Sequence, residues 1–172
     1  SAGANEEAIP SDVSDADAVI LQHEIPAEAN LVAARAASGL VVLNAAPVRE
    51  VSSEMWEHVD VLVVNEGELA TIAGHSGSIA ECLERVGVPT VVVTLGHHGS
   101  CARHAGNFTL QGAYPITPVD TTGAGDTFCG SLVAALSQGH ALPDALQYAS
   151  AASALACTRW GAQSSIPEAS EV

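Results

Sequence analysis

The stretch Asp120-Thr121-Thr122-Gly123-Ala124-Gly125-Asp126-Thr127-Phe128 holds the residues best suited to chemistry. An apolar, β-prone run ending at Val119 leads into it, and the helical pattern Leu132-Val133-Ala134-Ala135-Leu136 follows. Two glycines ahead of a helix let the backbone turn sharply and gather N–H groups at one point. A helix N-terminus adds unsatisfied donors and a partial positive charge, which together suit an anion such as phosphate. One carboxylate, Asp126, lies in that setting. Phosphoryl transfer to a hydroxyl needs a base beside an anion hole: the base takes the proton while the donors hold the developing charge. The local alternative is that Asp126 caps the first turn of its own helix. Spacing alone does not separate the two, because short glycine patterns are weak signals.

The elements that must position this stretch follow from periodicity. Residues 1–17 are polar and acidic and suit a loop or short helix. The short apolar runs Ala18–Leu21, Val41–Asn44, Val61–Val64 and Thr90–Thr94 have the length and β-branched content of buried strands. Helical patterns over residues 27–37, 53–59, 66–73 and 79–86 alternate with them, and Gly39 is expected to stop the first of these. Such alternation implies crossover units and a mainly parallel sheet, an α/β fold. The pattern then changes to a turn over Gly96–Gly99 and a short antiparallel pair, 100–104 and 108–111, around Gly106-Asn107. Two helices close the chain, one reaching about Ser137 and one from Pro143 to about Cys157. The Ala/Ser-rich interior over Ala149–Ala156 permits close approach of another helix or of a flat ligand. In open parallel sheets ligands bind beyond the carboxyl ends of the strands, where Glu24, Asn44, Asn65 and Thr94 are expected to converge.

Composition narrows the partners. The chain has 172 residues, 48% hydrophobic but only 3% aromatic, so the core must be built from Ala, Val, Leu and Ile. Twenty acids against five arginines and no lysine give a net charge of −15, which argues against nucleic-acid backbones and anionic membrane surfaces as partners. Any bound phosphate must then be held by main-chain amides and cations. Cys82, Cys101, Cys129 and Cys157 are far apart, without a Cys-x-x-Cys pair, and suit small apolar positions in a reducing compartment. No signal peptide or membrane-spanning run is evident, so a soluble, cytoplasmic protein is expected.

The segment 120–128 resembles the C-terminal signature of the ribokinase family of carbohydrate and nucleoside kinases. Gly3-Ala4-Asn5, Asn65-Glu66-Gly67-Glu68, Val93-Thr94-Leu95-Gly96 and Gly161-Ala162-Gln163 resemble further landmarks of that family, in its order. The resemblance implies a three-layer α/β/α, Rossmann-like fold and ATP-dependent phosphorylation of a sugar hydroxyl. It makes Asp126 the general base in contact with the sugar, with Gly123, Ala124 and Gly125 as the anion hole. Asn65 and Glu68 would hold Mg²⁺ largely through water, although acids in a first helical turn are also common for purely local reasons. Thr94, Leu95, Gly96, His97, His98 and Gly99 resemble the nucleotide-contacting turn; a metal role for the histidine pair lacks further ligands. Gly125 and Ser150 would also adjoin the nucleotide, Ser150 standing where the family has a histidine and Cys129 where asparagine is common. A K⁺ site is implied at the Asp120 carboxylate, the carbonyls of Thr122, Ala156, Arg159 and Gly161, and Ser165, while Asp120 as a loop cap is the local alternative. Glu24 would contact the sugar.

Gly3-Ala4-Asn5, Glu24 and Gly161-Ala162-Gln163 point within the family to the branch that converts D-ribose to D-ribose 5-phosphate; fructose and nucleoside kinases are alternatives. Family members carry a longer N-terminal segment, with sugar-gripping residues and a β lid, that is not in these 172 residues. The expectation is that residues 1–172 form the C-terminal, nucleotide-binding part of one domain, dimeric with itself when complete. By itself the chain would then be an incomplete catalyst with an open sheet edge lined by Val and Ile. A truncated module that binds nucleotide or a partner without transferring phosphate is the competing class.

Overall fold

The computed structural model describes residues 12–172, so the Gly3-Ala4-Asn5 landmark lies outside the described residues. In chain order the elements are α1 (Asp12–Asp15), β1 (Ala18–Gln22), α2 (Ala27–Ala36), β2 (Leu40–Asn44), α3 (Ser53–His58) and β3 (Val61–Asn65). There follow α4 (Glu66–Ala73), α5 (Ile79–Arg85), β4 (Thr90–Thr94), β5 (Ser100–His104), β6 (Asn107–Gln111), α6 (Ala124–Ser137) and α7 (Leu142–Cys157). The strands form one mixed sheet in the order β1-β2-β3-β4-β5-β6, an α/β fold. β1 runs parallel to β2 and β2 to β3, with Gln22 opposite Asn44 and Asn44 opposite Val63.

Two compact units divide the chain: one runs to Val93 and includes Arg103–Gly106, the other comprises Thr94–Ala102 and Asn107–Val172. In the first, Val41–Leu43, Val61–Val64 and Val91–Val93 are all buried. Continuous apolar burial of this kind is what strands covered on both faces require, and it explains why the runs show no polar alternation. β1 differs: it is an edge strand among the described residues, Leu21 is its one buried residue and Ile20 is 41% exposed. Asp60 fixes the start of β3 against β2, its Oδ2 accepting from Val41 N–H at 2.9 Å and its N–H donating to Val41 O at 3.0 Å.

Two local expectations are corrected. Gly39 does not stop α2; the capping residue is Ala37 in an extended conformation. Gly39 is needed because a Cβ there would lie 2.3 Å from the Asp17 carbonyl oxygen, so the chain passes too close for any side chain. The run ending at Val119 is not a strand: residues 112–119 are irregular and exposed. Pro115 and Pro118 remove two of the donors that a ladder would need.

In the second unit α6 and α7 pack on each other. Phe128, Leu132, Val133 and Ala135 are buried on α6, with Ala145, Leu146, Ala149, Ala152 and Ala156 on α7. Gly139, at φ 83°, ends α6 in a paired cap: its N–H donates to Leu136 O at 2.9 Å and His140 N–H to Ala135 O at 3.1 Å.

Arg103 closes the end of α5 in the first unit. Its Nε donates to Leu83 O at 3.0 Å, and Nη2 donates to Val86 O at 2.7 Å and Val88 O at 2.9 Å. Leu83 lies in the last turn of α5, and Val86 and Val88 follow it, where intrahelical donors run out. Replacing Arg103 with Met should lower unfolding stability by about 2 kcal/mol, since bonds from a charged donor are lost together. The check is a shifted urea midpoint at unchanged slope; an unshifted midpoint would show that water serves those carbonyls equally well.

Candidate functional site

Gly123 sets the start of α6. Its φ of 76° is left-handed, and a Cβ there would meet Ala162 Cα and O at 3.3 Å, so both conformation and close approach demand glycine. Ala124, Gly125 and Asp126 form the first turn of the helix. Ala124 N–H closes a turn on Thr121 O at 3.2 Å, whereas Gly125 falls where the helix supplies no acceptor. Asp126 is exposed, and its carboxylate favours the positive end of the helix dipole. One turn on, the Cys129 thiol is pushed up to about 12, first by burial and then by the Asp126 charge. Cys129 therefore packs as a neutral thiol and supplies no nucleophile.

Asp120 ties the loop before α6 to the loop after α7. Oδ1 accepts from Thr122 N–H at 2.9 Å and Oδ2 from Gly161 N–H at 3.0 Å. Hydrogen bonding from Thr122 and then from Gly161 holds the carboxyl below its ordinary 3.8. Gly161, at φ 91°, needs its left-handed turn to present that N–H. Ser165 is buried and donates to Ala162 O at 3.1 Å, and Cys157 O accepts from Val119 N–H at 2.8 Å. Asp120, Thr122, Gly161 and Ser165 thus belong to one pair of joined loops, with Ala156 and Arg159 at the α7 end of it. The Arg159 guanidinium points elsewhere, to Glu171 at 2.6 Å.

A cavity of about 440 Å³ opens against this helix start. Thr94, Gly96, His97 and Gly99 form one wall, and Ala124, Gly125 and Phe128 of α6 another. Ser150, Ser153, Ala154 and Cys157 present the small-residue face of α7. The last wall is Ala113–Ile116 with Pro118, in the segment that leads to the β-prone run's end at Val119. Sequence reasoning missed these residues; the two prolines, which deny a strand, were the available signal. Ser153 holds α7 to the helix start by donating to Ala124 O at 2.9 Å. The His97 and His98 rings lie 3.8 Å apart, tilted by 42°. Leu95 and His98 do not line the cavity wall.

The first unit holds the remaining candidates. Asn65 caps α4 through Oδ1, which accepts from Glu68 N–H at 2.9 Å, while Glu68 Oε2 accepts from Asn65 N–H at 2.8 Å. The motif is therefore a capping box, with Asn65 exposed and Glu68 half-buried. Glu24 is exposed just after β1, and beside it the buried His23 ring pairs through Nδ1 with Pro47 O at 3.0 Å. Glu24 follows β1 and Asn65 ends β3, at the carboxyl edge of β1–β3. Asn44 ends β2 at the same edge.

The Asp120 bonds carry a pH signature. A carboxyl whose value falls on folding contributes stability that is present above its unfolded value and lost as pH falls through the lower folded value. Asp120→Asn, which keeps one acceptor oxygen, should lower the unfolding temperature at neutral pH. Its gap to the parent should narrow as pH drops below the ordinary 3.8. Melting curves across that range test this; a gap independent of pH would show that the charge is not what joins the loops.

Comparison with known proteins places the fold and these motifs in one family. A model for pfkB family carbohydrate kinases matches residues 6–169. Ribokinase of Staphylococcus aureus (strain COL) is 33% identical over 188 residues, covering 99% of this chain and 62% of that protein. The crystal structure of ribokinase from Thermotoga maritima superposes with a TM-score of 0.90 at 33% identity, over 97% of this chain and 59% of the other. Arabidopsis thaliana ribokinase, solved in complex with ribose and ATP, gives a TM-score of 0.86 at 32% identity over 92% and 55%. The chain thus spans less than two thirds of the length of these relatives. With the match running over residues 6–169 of 172, the chain belongs to the pfkB family of carbohydrate kinases.

Proposed function

We propose that the complete polypeptide transfers the γ-phosphoryl group of ATP to the 5-hydroxyl of D-ribose. The observation that carries this reading is the start of α6: Ala124 and Gly125 line the cavity, and the next residue is the exposed carboxylate Asp126. Asp126 takes the proton of the sugar hydroxyl as its oxygen bonds to the γ-phosphorus, and ADP leaves with the electrons of the broken P–O bond. First-turn amides of α6 hold the charge that develops on the phosphoryl oxygens. The chain contains no lysine, so this work falls to the main chain and to cations. The ribokinase solved with ribose and ATP supports both substrates.

The cavity fits a nucleotide by size and by its mix of small, apolar and hydroxyl-bearing walls. Thr94, Gly96, His97 and Gly99 are assigned to one side of it and Ser150 to another. Glu24 is assigned to the sugar. Asn65 and Glu68 fit water-mediated binding of Mg²⁺, being exposed or half-buried oxygen donors with lone pairs beyond those used in the capping box. When bound, that ion neutralises phosphate charge. The joined loops at Asp120 fit K⁺, because an ionised carboxylate, main-chain carbonyls and the Ser165 hydroxyl are all hard oxygen donors.

The reading is tested by coupled ADP release from the complete polypeptide with D-ribose, fructose and adenosine as acceptors. Ribose should be preferred; fructose or adenosine in its place would move the protein to another branch of the family. Asp126→Asn should reduce kcat by about 100- to 10,000-fold while leaving ATP affinity nearly unchanged, because only the proton acceptor is lost. Near-normal turnover in that variant would remove Asp126 from the role. Potassium should raise the rate over tetramethylammonium at matched ionic strength, by ordering the loop that leads into α6. Equal rates in the two salts would take K⁺ out of the account.

A further inference from the structure

Ser150 is 8% exposed, lines the cavity from α7, and has no hydrogen-bond partner among the described residues. Its hydroxyl opens on the cavity and is free to bond a ligand there, as donor or as acceptor. The other polar side chains around it share a property. Thr94, Thr121, Tyr114 and Ser153 contribute hydroxyls, His97 an imidazole, and the remaining polar atom is a thiol. Among the described residues, no carboxylate, side-chain amide or guanidinium lines the cavity. Every one of these groups can either donate or accept, according to rotor or tautomer.

Part of the main chain around the cavity is already engaged. In the turn at one wall, Gly99 N–H donates to Gly96 O at 3.1 Å, Leu95 N–H to Gly99 O at 2.8 Å and His98 N–H to Leu95 O at 3.1 Å. At the helix start, Ala124 N–H is used by Thr121 O at 3.2 Å and Ala124 O by Ser153 at 2.9 Å. The small-residue face of α7 and the exposed Tyr114–Ile116 segment bound a space suited to a flat ring.

Resting on the phosphoryl-transfer reading above, we propose that this cavity takes purine nucleoside phosphates without distinguishing a 6-amino from a 6-oxo base. A 6-amino group presents a donor and a 6-oxo group an acceptor. The Ser150 hydroxyl turns to satisfy either one, and no fixed donor or acceptor among the side chains penalises the wrong choice. A pyrimidine leaves part of the apolar wall uncovered and binds less well.

The test is calorimetric binding of ADP, GDP and CDP to the complete polypeptide. ADP and GDP should agree within about threefold, because an adaptable hydroxyl bonds either base edge, and CDP should be weaker. Ser150→Ala should weaken ADP and GDP alike, by about fivefold, the worth of one ordinary hydrogen bond. Ser150→Thr, which keeps the hydroxyl, should restore both. ADP bound a hundredfold more tightly than GDP would overturn the inference and leave the kinase reading standing, with main-chain groups of residues 113–118 then reading the base. Loss of only one nucleotide in Ser150→Ala would overturn it as well. Failure of all three nucleotides to bind would remove the kinase reading itself.

Discussion

The second unit depends on a single carboxylate with two donors. Asp120 takes one N–H from its own loop and one from a residue 41 positions later, and so makes the entrance and the exit of the α6–α7 pair one object. Gly123 can then sit against Ala162 with no room for a side chain, which fixes where α6 begins. The position of Asp126 follows from that start, being the third residue of the helix. A negatively charged anchor is an economical device in a chain with no lysine, because main-chain N–H groups supply all the donors.

Small side chains do the complementary work on α7. Ala145, Ala149, Ala152 and Ala156 are buried against neighbouring elements, and Ser150, Ser153 and Ala154 line the cavity. A helix of alanines and serines can serve both purposes because neither face needs depth: close approach supplies the packing on one side and space for a ring on the other. With aromatics at 3% of the chain, apolar cover for a ligand comes from backbone, proline and short aliphatic groups. That composition favours shape over specific polar recognition.

The first unit shows how a sequence motif can be fully accounted for by local structure. Asn65 and Glu68 satisfy each other's main-chain N–H groups at the start of α4. This box alone accounts for both residue types at that spacing. It also holds two oxygen-bearing side chains rigidly at the carboxyl edge of a parallel sheet, the edge such sheets use for ligands.

Where one face of an element is buried or one turn needs a particular residue, the sequence by itself determined the structure. The expected β4 limits and the α4 limits agree with the observed Thr90–Thr94 and Glu66–Ala73, because a continuous apolar run and a capping box are local signals. The resemblance of residues 120–128 likewise identified the family. Tertiary structure decided what depends on distant chain. Gly39 looked like a helix stop and is instead required by the passing backbone of Asp17. The run ending at Val119 looked β-prone, since its apolar content says nothing of whether a neighbour offers hydrogen bonds, and the irregular segment there became a cavity wall. The tie from Asp120 to Gly161 and the partnerless state of Ser150 exist only once α6 and α7 are packed. Periodicity records which face is buried, but which atoms meet across the fold is set by packing between residues far apart in the chain.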